Sequence, residues 1–440
     1  MRPRARLDRT LLAILVVAAI LRLAWGLWAA TVTPGDPITA GDDYSYWYYG
    51  RAFAAGEGYI GYTTGTPTSY YPVGYPALLA GTFWLADHTP LPGGDADVVA
   101  VLHAVLGTAT VFFTYLIGRS IGGRRLGLVA AALVAVWPNL VLYTPTFALE
   151  PAFLAASTAA LAVAASHDWS AGPPSLRRSA AFGLVLGISV VIRPFSLPFL
   201  LAFAVAIAAT RAGWRTVARC TGVAAAVVVL LLVPWTVRNA MALDAFVPVS
   251  TNLGDTACMA RSPDSNGSFA FSAHEWCADP DLPEVERNRA NLRLAFRFVR
   301  EHPVIEARLI GQRFRLMMSH DHSGLEENEA VRDRDRFLGG ARRAVTTVAD
   351  AWFAVVMVAA AVGLVLLARG WRRFPARAFV VVSALALVVI PSLLWGNPRF
   401  HVPLAPLAAV LGATLVVRPW TSSTSSVAAT EPMPRSMSRA

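Results

Sequence analysis

Apolar runs long enough to cross a lipid bilayer recur between Leu11 and Val417, and they constrain the fold more than any other feature of the sequence. Inside a bilayer the backbone N–H and C=O groups find no water, so repeated runs of this length cross as helices. Only 15% of the 440 residues are charged, whereas a soluble domain carries about 25%. The sequence therefore predicts an all-α polytopic membrane protein and excludes an ordinary cytosolic enzyme.

Arginine clusters between the apolar runs predict how the chain crosses the membrane. If every cluster lies in the cytoplasm, ten crossings with the N-terminus inside satisfy the positive-inside rule throughout. The short run 73–86 must then stay at the membrane interface or re-enter, because a span needs about 20 residues. The predicted spans are residues 11–32, 98–117, 126–143, 151–166, 180–193, 195–210, 220–237, 348–368, 378–395 and 402–417.

This topology divides the chain into six predicted regions and predicts a multi-pass protein of the plasma membrane with two large outer loops. The tail is rich in Ser, Thr and Pro, which predicts disorder. The regions are an N-terminal cytoplasmic arm and first helix (1–32), a first outer loop with an acidic pair and an interfacial helix (33–97), a transmembrane core (98–237), a large outer loop (238–347), the C-terminal transmembrane helices (348–417) and a cytoplasmic tail (418–440).

The basic residues are all arginine: the 38 basic side chains include no lysine, and the formal net charge is +10. A P-loop lysine and Schiff-base catalysis are therefore excluded. No basic stripe is interleaved with exposed aromatic residues, so nucleic acid is not a predicted partner. The charge surplus instead suits anionic membrane lipid, and the planar arginine fork suits phosphate.

Three acidic residues near the predicted outer surface, an adjacent pair and a single glutamate, are candidate site residues. Asp42 and Asp43 are adjacent in a tyrosine-rich loop, and burying both carboxylates is costly unless a positive charge compensates. A solvated helix N-terminus is the alternative interpretation. The tyrosines of the loop suit either the membrane interface or stacking against sugars. Glu150 lies in a predicted outward turn on the same side, where the helix dipole alone would also favour it.

Three arginines lie near the predicted outer ends of spans, where the positive-inside rule does not place them: Arg193, Arg238 and Arg399. A basic residue in that position needs a partner, and a lipid phosphate would serve. Snorkelling of each side chain to the lipid headgroups explains any single one equally well.

Two further residue patterns carry weaker expectations. Cys258 and Cys277 lie in one polar segment and can form a disulfide if that segment faces an oxidising compartment. His320 and His322 flank Asp321 and could ligate a metal, but the sequence does not identify a third ligand.

The order of several short motifs resembles the GT-C superfamily of polyprenyl-phosphate-sugar-dependent glycosyltransferases over about residues 10–417. The branch in question holds the protein O-mannosyltransferases and the bacterial aminoarabinose (ArnT-like) lipid A transferases. The motifs are the acidic pair Asp42-Asp43 after the first helix, the segment 71–80, Leu149-Glu150-Pro151, Arg193-Pro194, residues 234–239 and residues 398–403.

The resemblance implies a GT-C-like bundle and an inverting transfer of a sugar from a lipid-linked donor on the outer face of the membrane. In that family the first outer loop carries an acidic pair, usually Asp-Glu, whose leading aspartate is the proposed base. This implies Asp42, with Asp43 at the position where the family usually has Glu, and either carboxylate remains a candidate. Glu150 matches a second acidic site residue.

The resemblance also implies the donor's contacts and partners. Arg238 and Arg399, and then Arg193, would bind the donor phosphate, and Tyr46 and Tyr71 would contact sugar or lipid. No obligatory cofactor is expected, although a divalent cation near the phosphate is compatible with the chemistry. The acceptor in the cell envelope is not identified, and the loop 238–347 is expected to shape its choice. The alternative function is a non-catalytic transporter or binding protein for lipid-linked saccharides.

Overall fold

A computed structural model describes residues 8–32, 41–90, 93–269, 276–332, 337–369 and 374–418. These residues are helical, with two isolated β-bridges and no strand among them, so the all-α prediction is confirmed. The predicted tail beyond residue 418 and the basic arm 1–7 lie outside the described residues.

Sixteen α-helices follow one another along the described part of the chain. They are α1 (Arg9–Thr31), α2 (Gly41–Ala54), α3 (Gly74–Asp87), α4 (Asp95–Ala135), α5 (Pro138–Leu142), α6 (Glu150–Ala165), α7 (Leu176–Ile192), α8 (Phe199–Ala209), α9 (Trp214–Leu243), α10 (Leu253–Cys258), α11 (Glu284–Glu301), α12 (Pro303–Met317), α13 (Ser323–Val331), α14 (Arg342–Ala368), α15 (Pro375–Leu394) and α16 (Ala405–Ala413).

Helix α4 is two antiparallel arms rather than one rod. Gly123 has φ +80°, a conformation that glycine adopts without strain, and the chain reverses there. After the reversal Gly118 and Gly127 pack backbone to backbone, since a Cβ on Gly118 would lie 2.9 Å from Gly127 Cα. The second arm ends at Ala135, before Pro138, so the apolar run 126–143 is not the single helix that its composition suggested.

The first helix defines two ends of the bundle. At its start Asp8 accepts a hydrogen bond from Arg124 Nε at the α4 reversal, with an N···O distance of 2.6 Å. Near its other end Trp25 Nε1 donates to the carbonyl of Leu142. Since 23 residues of helix extend about 34 Å, the arginine-rich reversal and the 137–150 segment lie at opposite ends of the bundle.

A buried arginine joins α1 to the second arm of α4. Arg22 is 1% exposed, and its guanidinium donates to the carbonyls of Ala18, Val134 and Ala135. The last two carbonyls belong to the end of a helix, where C=O groups lack intrahelical partners. Arg22 therefore supplies hydrogen-bond donors to the last backbone carbonyls of the second arm, inside the bundle.

Within the described residues each of the ten predicted spans overlaps at least part of one helical segment, namely α1, the two arms of α4, α6 to α9, and α14 to α16. Among the described residues, five helices are long and apolar enough to cross a membrane, namely α1, α4, α9, α14 with the residues just before it, and α15. The chain is therefore a multi-pass membrane protein, while the count of ten spans stays a prediction.

The segments between α9 and α14 form a helical layer at the end of the bundle opposite Arg124. Within it Cys258 at the end of α10 forms a disulfide with Cys277, with a Cα–Cα distance of 5.9 Å. Arg261 then ties this layer to α15, because its guanidinium donates to the carbonyls of Leu393 and Leu394 and pairs with Glu306.

Candidate functional site

Helix α2 presents the two adjacent aspartates to different surroundings. The side chain of Asp42 is 38% exposed, whereas Asp43 is 2% exposed. Successive residues of an α-helix are rotated by about 100° around its axis, so two neighbours in the first turn cannot face the same partner. One carboxylate faces open space and the other faces the protein interior.

Arg399 joins three carboxylates from three separate parts of the chain. Its Nε and Nη2 donate to Glu150 Oε1 and Oε2 at 3.0 and 3.2 Å, a two-pronged pairing. Its Nη1 donates to Asp42 Oδ2 at 3.0 Å and lies 3.0 Å from Glu327 Oε1. We call Arg399, Asp42, Glu150 and Glu327 the Arg399 cluster.

Local backbone geometry places the two best-paired members of the cluster. Glu150 is the first residue of α6, where exposed backbone N–H groups favour a carboxylate, and its side chain is 1% exposed. Arg399 lies in a short 3₁₀ segment, Pro398–Leu404, and the side chain of Asn397 accepts a hydrogen bond from its backbone N–H. That turn aims the guanidinium at the start of α6.

Arg193 approaches the same carboxylate from the end of α7. Its Nη1 lies 3.4 Å from Glu150 Oε1, and its guanidinium packs over the rings of Phe195 and Phe400. Two of the three arginines predicted from the sequence therefore converge on Glu150.

The third predicted arginine, Arg238, lies elsewhere in the structure. Its Nη1 and Nη2 donate at 2.7 Å to the backbone carbonyls of Thr68 and Tyr59, and the group packs over the ring of Trp235. No contact between Arg238 and the Arg399 cluster appears in the described residues. Its guanidinium holds the loop that follows α2, and its predicted role in phosphate binding gains no support from this geometry.

The two predicted tyrosines surround Asp42 in different ways. The hydroxyl of Tyr71 donates to Asp42 Oδ1 at 2.6 Å, so each Asp42 oxygen accepts a hydrogen bond. Tyr46 is buried, with its ring centroid 5.1 Å from that of Tyr71 and 5.3 Å from that of Tyr75. Tyr71 therefore contacts Asp42, the candidate base, directly, whereas Tyr46 packs against the ring of Tyr71.

Glu327 is the member of the Arg399 cluster that the sequence did not indicate. It lies on α13, in a loop where acidic and basic residues are equally common, and no motif marks it. Burial raises its pKa, and Glu150 and Asp42 raise it further, while Arg399 opposes them. For Arg399, burial alone would lower the pKa, but the three carboxylates outweigh burial and hold it well above its usual value.

Asp43 is held in a setting that favours its neutral form. Burial raises its pKa well above the usual value for aspartate, and Glu327 and Glu150 add to the effect against Arg399 and the N–H of Phe147. Its Oδ2 accepts that N–H at 2.9 Å, while its buried Oδ1 meets no hydrogen-bond donor among the described residues. An ionised oxygen without a donor is costly.

We expect the Asp43→Asn variant to gain thermal stability over the native chain as pH rises. The unfolded chain loses this proton near pH 3.9, whereas the folded chain keeps it to higher pH. Stability therefore falls as pH rises between the two pKa values, and asparagine removes that loss. Unfolding midpoints of both proteins measured in detergent from about pH 4 to pH 8 test this, and a difference that stays constant with pH would contradict it.

Three residues outside the Arg399 cluster could hold a metal ion. The ligand atoms of His320, His322 and Asp350 all lie within 4.8 Å of one another. His322 Nδ1 is 2.9 Å from Asp350 Oδ1. Glu326 Oε1 lies 3.9 Å from His320 Nε2 and 3.7 Å from His322 Nε2. Asp321, flanked by the two histidines, faces away from them and contacts Trp137, Asn139 and His401 instead. Two imidazoles and a carboxylate are a donor set that suits zinc.

The chain matches no known protein-family model, and no curated protein matches its sequence. Solved structures do resemble it. AglB, an archaeal oligosaccharyltransferase from Archaeoglobus fulgidus in complex with an inhibitory peptide and a dolichol-phosphate, aligns over 92% of this chain and 49% of its own, with a TM-score of 0.55 and 16% identity. An Archaeoglobus fulgidus oligosaccharyltransferase complex with Zn and sulfate aligns over 91% and 48%, with a TM-score of 0.52 and 17% identity.

A bacterial structure shows the same likeness. ArnT from Cupriavidus metallidurans bound to undecaprenyl phosphate aligns over 93% of this chain and 60% of its own, with a TM-score of 0.52 and 13% identity. This chain thus spans about half the length of the archaeal proteins that it resembles. At these identities the likeness shows the fold.

Proposed function

Because the chain has the fold of the GT-C superfamily glycosyltransferases, we propose that it transfers a sugar, with inversion, from a polyprenyl-phosphate donor to an acceptor in the cell envelope. The observation that carries the proposal is the pairing of Arg399 with both Asp42 and Glu150. It sets a partly exposed carboxylate beside a guanidinium. Two of the similar structures hold a dolichol-phosphate and undecaprenyl phosphate, which supports a lipid phosphate as the donor's leaving group.

The proposed reaction is a single displacement at the anomeric carbon of the donor sugar. The acceptor hydroxyl oxygen forms the new bond to that carbon while the bond from the carbon to the phosphate oxygen breaks and its electron pair stays on the phosphate. Asp42 takes the proton of the acceptor hydroxyl as general base. The phosphate is already a good leaving group, so the site must supply positive charge for it rather than a strong acid.

The arginines differ in how many N–H groups remain for a donor phosphate. A guanidinium has five N–H donors, and Arg399 uses most of its own on Glu150, Asp42 and Glu327. The guanidinium of Arg193 makes a single described hydrogen bond, to Glu150. We therefore assign the donor phosphate to Arg193 together with the remaining N–H donor of Arg399, with Glu150 fixing the position of both guanidinium groups.

The site is proposed to lie on the outer face of the plasma membrane. The Arg399 cluster and the Cys258–Cys277 disulfide belong to the end of the bundle away from the Asp8–Arg124 pair and its arginine-rich reversal. Arginine-rich turns favour the cytoplasm, and a disulfide persists in an oxidising compartment. Both preferences support the same orientation.

Divalent cations are proposed to affect stability and not turnover. Arg399 already supplies positive charge among the three carboxylates where a cation could otherwise sit, whereas His320, His322 and Asp350 form a separate candidate metal site. EDTA is therefore expected to lower the unfolding midpoint and to leave the transfer rate unchanged. A transfer rate lost on EDTA treatment and restored by Mg²⁺ or Mn²⁺ would contradict this assignment.

A labelled-donor assay tests the proposed function. The purified protein in lipid nanodiscs is incubated with a radiolabelled polyprenyl-phosphate sugar and a cell-envelope extract, and both released polyprenyl phosphate and labelled product are measured. Transfer of label with release of polyprenyl phosphate supports the enzyme. Donor binding without transfer by the native protein would instead support a binding or transport protein.

A further inference from the structure

A large cavity adjoins Asp42, and Arg399 is not among the described residues that line it. Its volume is about 1080 Å³, and its walls are the first two turns of α2, the loop 61–71, residues 243–245 and residues 280–289. Sites for single small molecules span about 300–1,000 Å³. A cavity of this size has room for an extended ligand whose end reaches Asp42.

Nine of the side chains that line this cavity carry a hydroxyl group, and four of these nine also carry an aromatic ring. Four tyrosines line it, namely Tyr49, Tyr62, Tyr70 and Tyr71, and the loop between them contributes four threonines at positions 63, 64, 66 and 68. Tyrosine offers a flat apolar face together with a polar hydroxyl. Such walls suit a ligand that combines apolar faces with many hydroxyl groups.

The wall of the cavity carries more negative than positive groups, although the chain as a whole is positively charged. Five carboxylates line it, from Asp42, Asp244, Asp281, Glu284 and Glu286, against two guanidinium groups, whereas the chain as a whole carries a formal charge of +10. One of the two guanidiniums, that of Arg287, lies 3.5 Å from Asp255 and also donates to the carbonyl of Pro280. An acidic wall repels anionic ligands and accepts hydrogen bonds from hydroxyl groups.

Hydrogen bonds already fix the two sides of the cavity to each other. Glu284 at the start of α11 accepts hydrogen bonds from the hydroxyls of Thr68 and Thr251 and from the backbone N–H of Ser69. The loop and α11 therefore form one preformed wall, and ligand binding does not have to order them.

We propose that this cavity binds the acceptor, and that the acceptor is a neutral saccharide chain whose terminal hydroxyl reaches Asp42. This inference rests on the proposed function for the role of Asp42 and adds the chemical class of the acceptor. The tyrosine faces stack against sugar rings, and the wall carboxylates accept sugar hydroxyls. A phosphorylated glycolipid would meet the acidic wall, and the described residues offer no strand edge for an extended peptide.

Tyr62 provides the test because it is 45% exposed, and among the described residues no hydrogen bond or ring contact joins it to the Arg399 cluster. We expect Tyr62→Ala to weaken the binding of neutral hexose and pentose oligosaccharides to the protein in nanodiscs about two- to tenfold, the size of an aromatic contact. Tyr62→Phe keeps the ring and is expected to retain binding. Trp84→Ala removes an aromatic ring of similar exposure on α3, outside the cavity lining, and serves as the matched control.

Binding and transfer are measured separately, so that the two proposals fail in different ways. Saccharide binding that depends on Tyr62, without transfer from the labelled donor, would support a saccharide site in this cavity but overturn the proposed function, and with it the role of the saccharide as acceptor. Transfer to a Ser/Thr peptide or to an anionic phosphoglycolipid in preference to the saccharides would overturn this inference alone. It would also be overturned if Tyr62→Ala and Trp84→Ala changed saccharide binding equally.

Charge variants give a second measurement. Asp281→Asn combined with Glu286→Gln removes two exposed carboxylates of the wall. This variant is expected to bind a phosphorylated saccharide more tightly than the native protein does, while its affinity for the neutral saccharide changes less. An unchanged ratio of the two affinities would contradict the role assigned to the acidic wall.

Discussion

Replacing Arg399 by glutamine is expected to destabilise the protein and to stop transfer. Glu150 is 1% exposed, and without Arg399 its remaining cationic contact is Arg193 at 3.4 Å. Removing one partner of a buried ion pair costs about 3–5 kcal/mol. Loss of a group that stabilises charge in the transition state costs about 10²–10³ in rate. Thermal unfolding in detergent and the labelled-donor assay measure the two effects.

A double variant separates the two roles of Arg399. In Arg399→Gln combined with Glu150→Gln the buried Glu150 carboxylate is removed together with its partner, so stability is expected to recover part of its loss, although Glu327 still lacks its cationic partner. Transfer is expected to stay at least about 100-fold below the native rate, because the positive charge is still missing. If the double variant regained transfer, Arg399 would be a partner for Glu150 only, and the role proposed for it at the phosphate would be wrong.

Arg399→Lys tests geometry at constant charge. Lysine carries a single ammonium group and cannot reproduce the fork that meets both oxygens of Glu150. We therefore expect this substitution to retain more stability than glutamine but to recover little of the transfer rate.

Residue type and predicted topology were enough to select most of the candidate site. Asp42, Glu150, Arg193 and Arg399 stand out in the sequence because charged groups near the outer ends of apolar spans are rare and need partners. The structure brings these four together through two direct carboxylate–arginine contacts at Arg399 and one at Arg193. Their catalytic roles stay predictions.

Partners that lie far apart in sequence could not be predicted in the same way. Arg238, like Arg399, is an arginine near the predicted outer end of a span. Its guanidinium nevertheless donates its hydrogen bonds to the backbone carbonyls of Thr68 and Tyr59. No sequence pattern predicts a backbone carbonyl as the partner of an arginine. Glu327 was missed because its helix lies in a loop rich in charges of both signs. Asp350 on helix α14 completes the group of His320 and His322, which lie between α12 and α13.

The helix pattern shows a similar division between local and tertiary signals. The arginine-flanked Gly122-Gly123 pair marks a reversal that the predicted topology placed between two spans. The composition of the apolar run 126–143 did not indicate that its helix is interrupted at Trp137. The local signal was Pro138, because proline disfavours a helical conformation in the residue before it. The end of that helix is satisfied by Arg22, a partner more than a hundred residues away in sequence.

Asp42→Asn is expected to lower transfer about 10²–10⁴-fold, the usual contribution of a general base, while the protein remains folded. Asparagine keeps an oxygen that can accept from Tyr71 or Arg399, and the side chain is partly exposed, so little packing changes. Binding of the labelled donor is expected to persist, because the arginines remain. Transfer and donor binding are measured on the same preparation.

Asp43→Asn is the matched comparison that decides between the two adjacent carboxylates. Asp43 is buried, and burial raises its pKa, so the side chain keeps its proton to a higher pH than an ordinary aspartate does. Its buried setting favours the neutral form, so replacing it by a neutral isostere should cost little transfer. If instead Asp43→Asn abolished transfer and Asp42→Asn did not, the proton would have to leave the acceptor through the buried carboxylate. In that case a saccharide in the cavity, which Asp42 lines and Asp43 does not, would not reach the catalytic base.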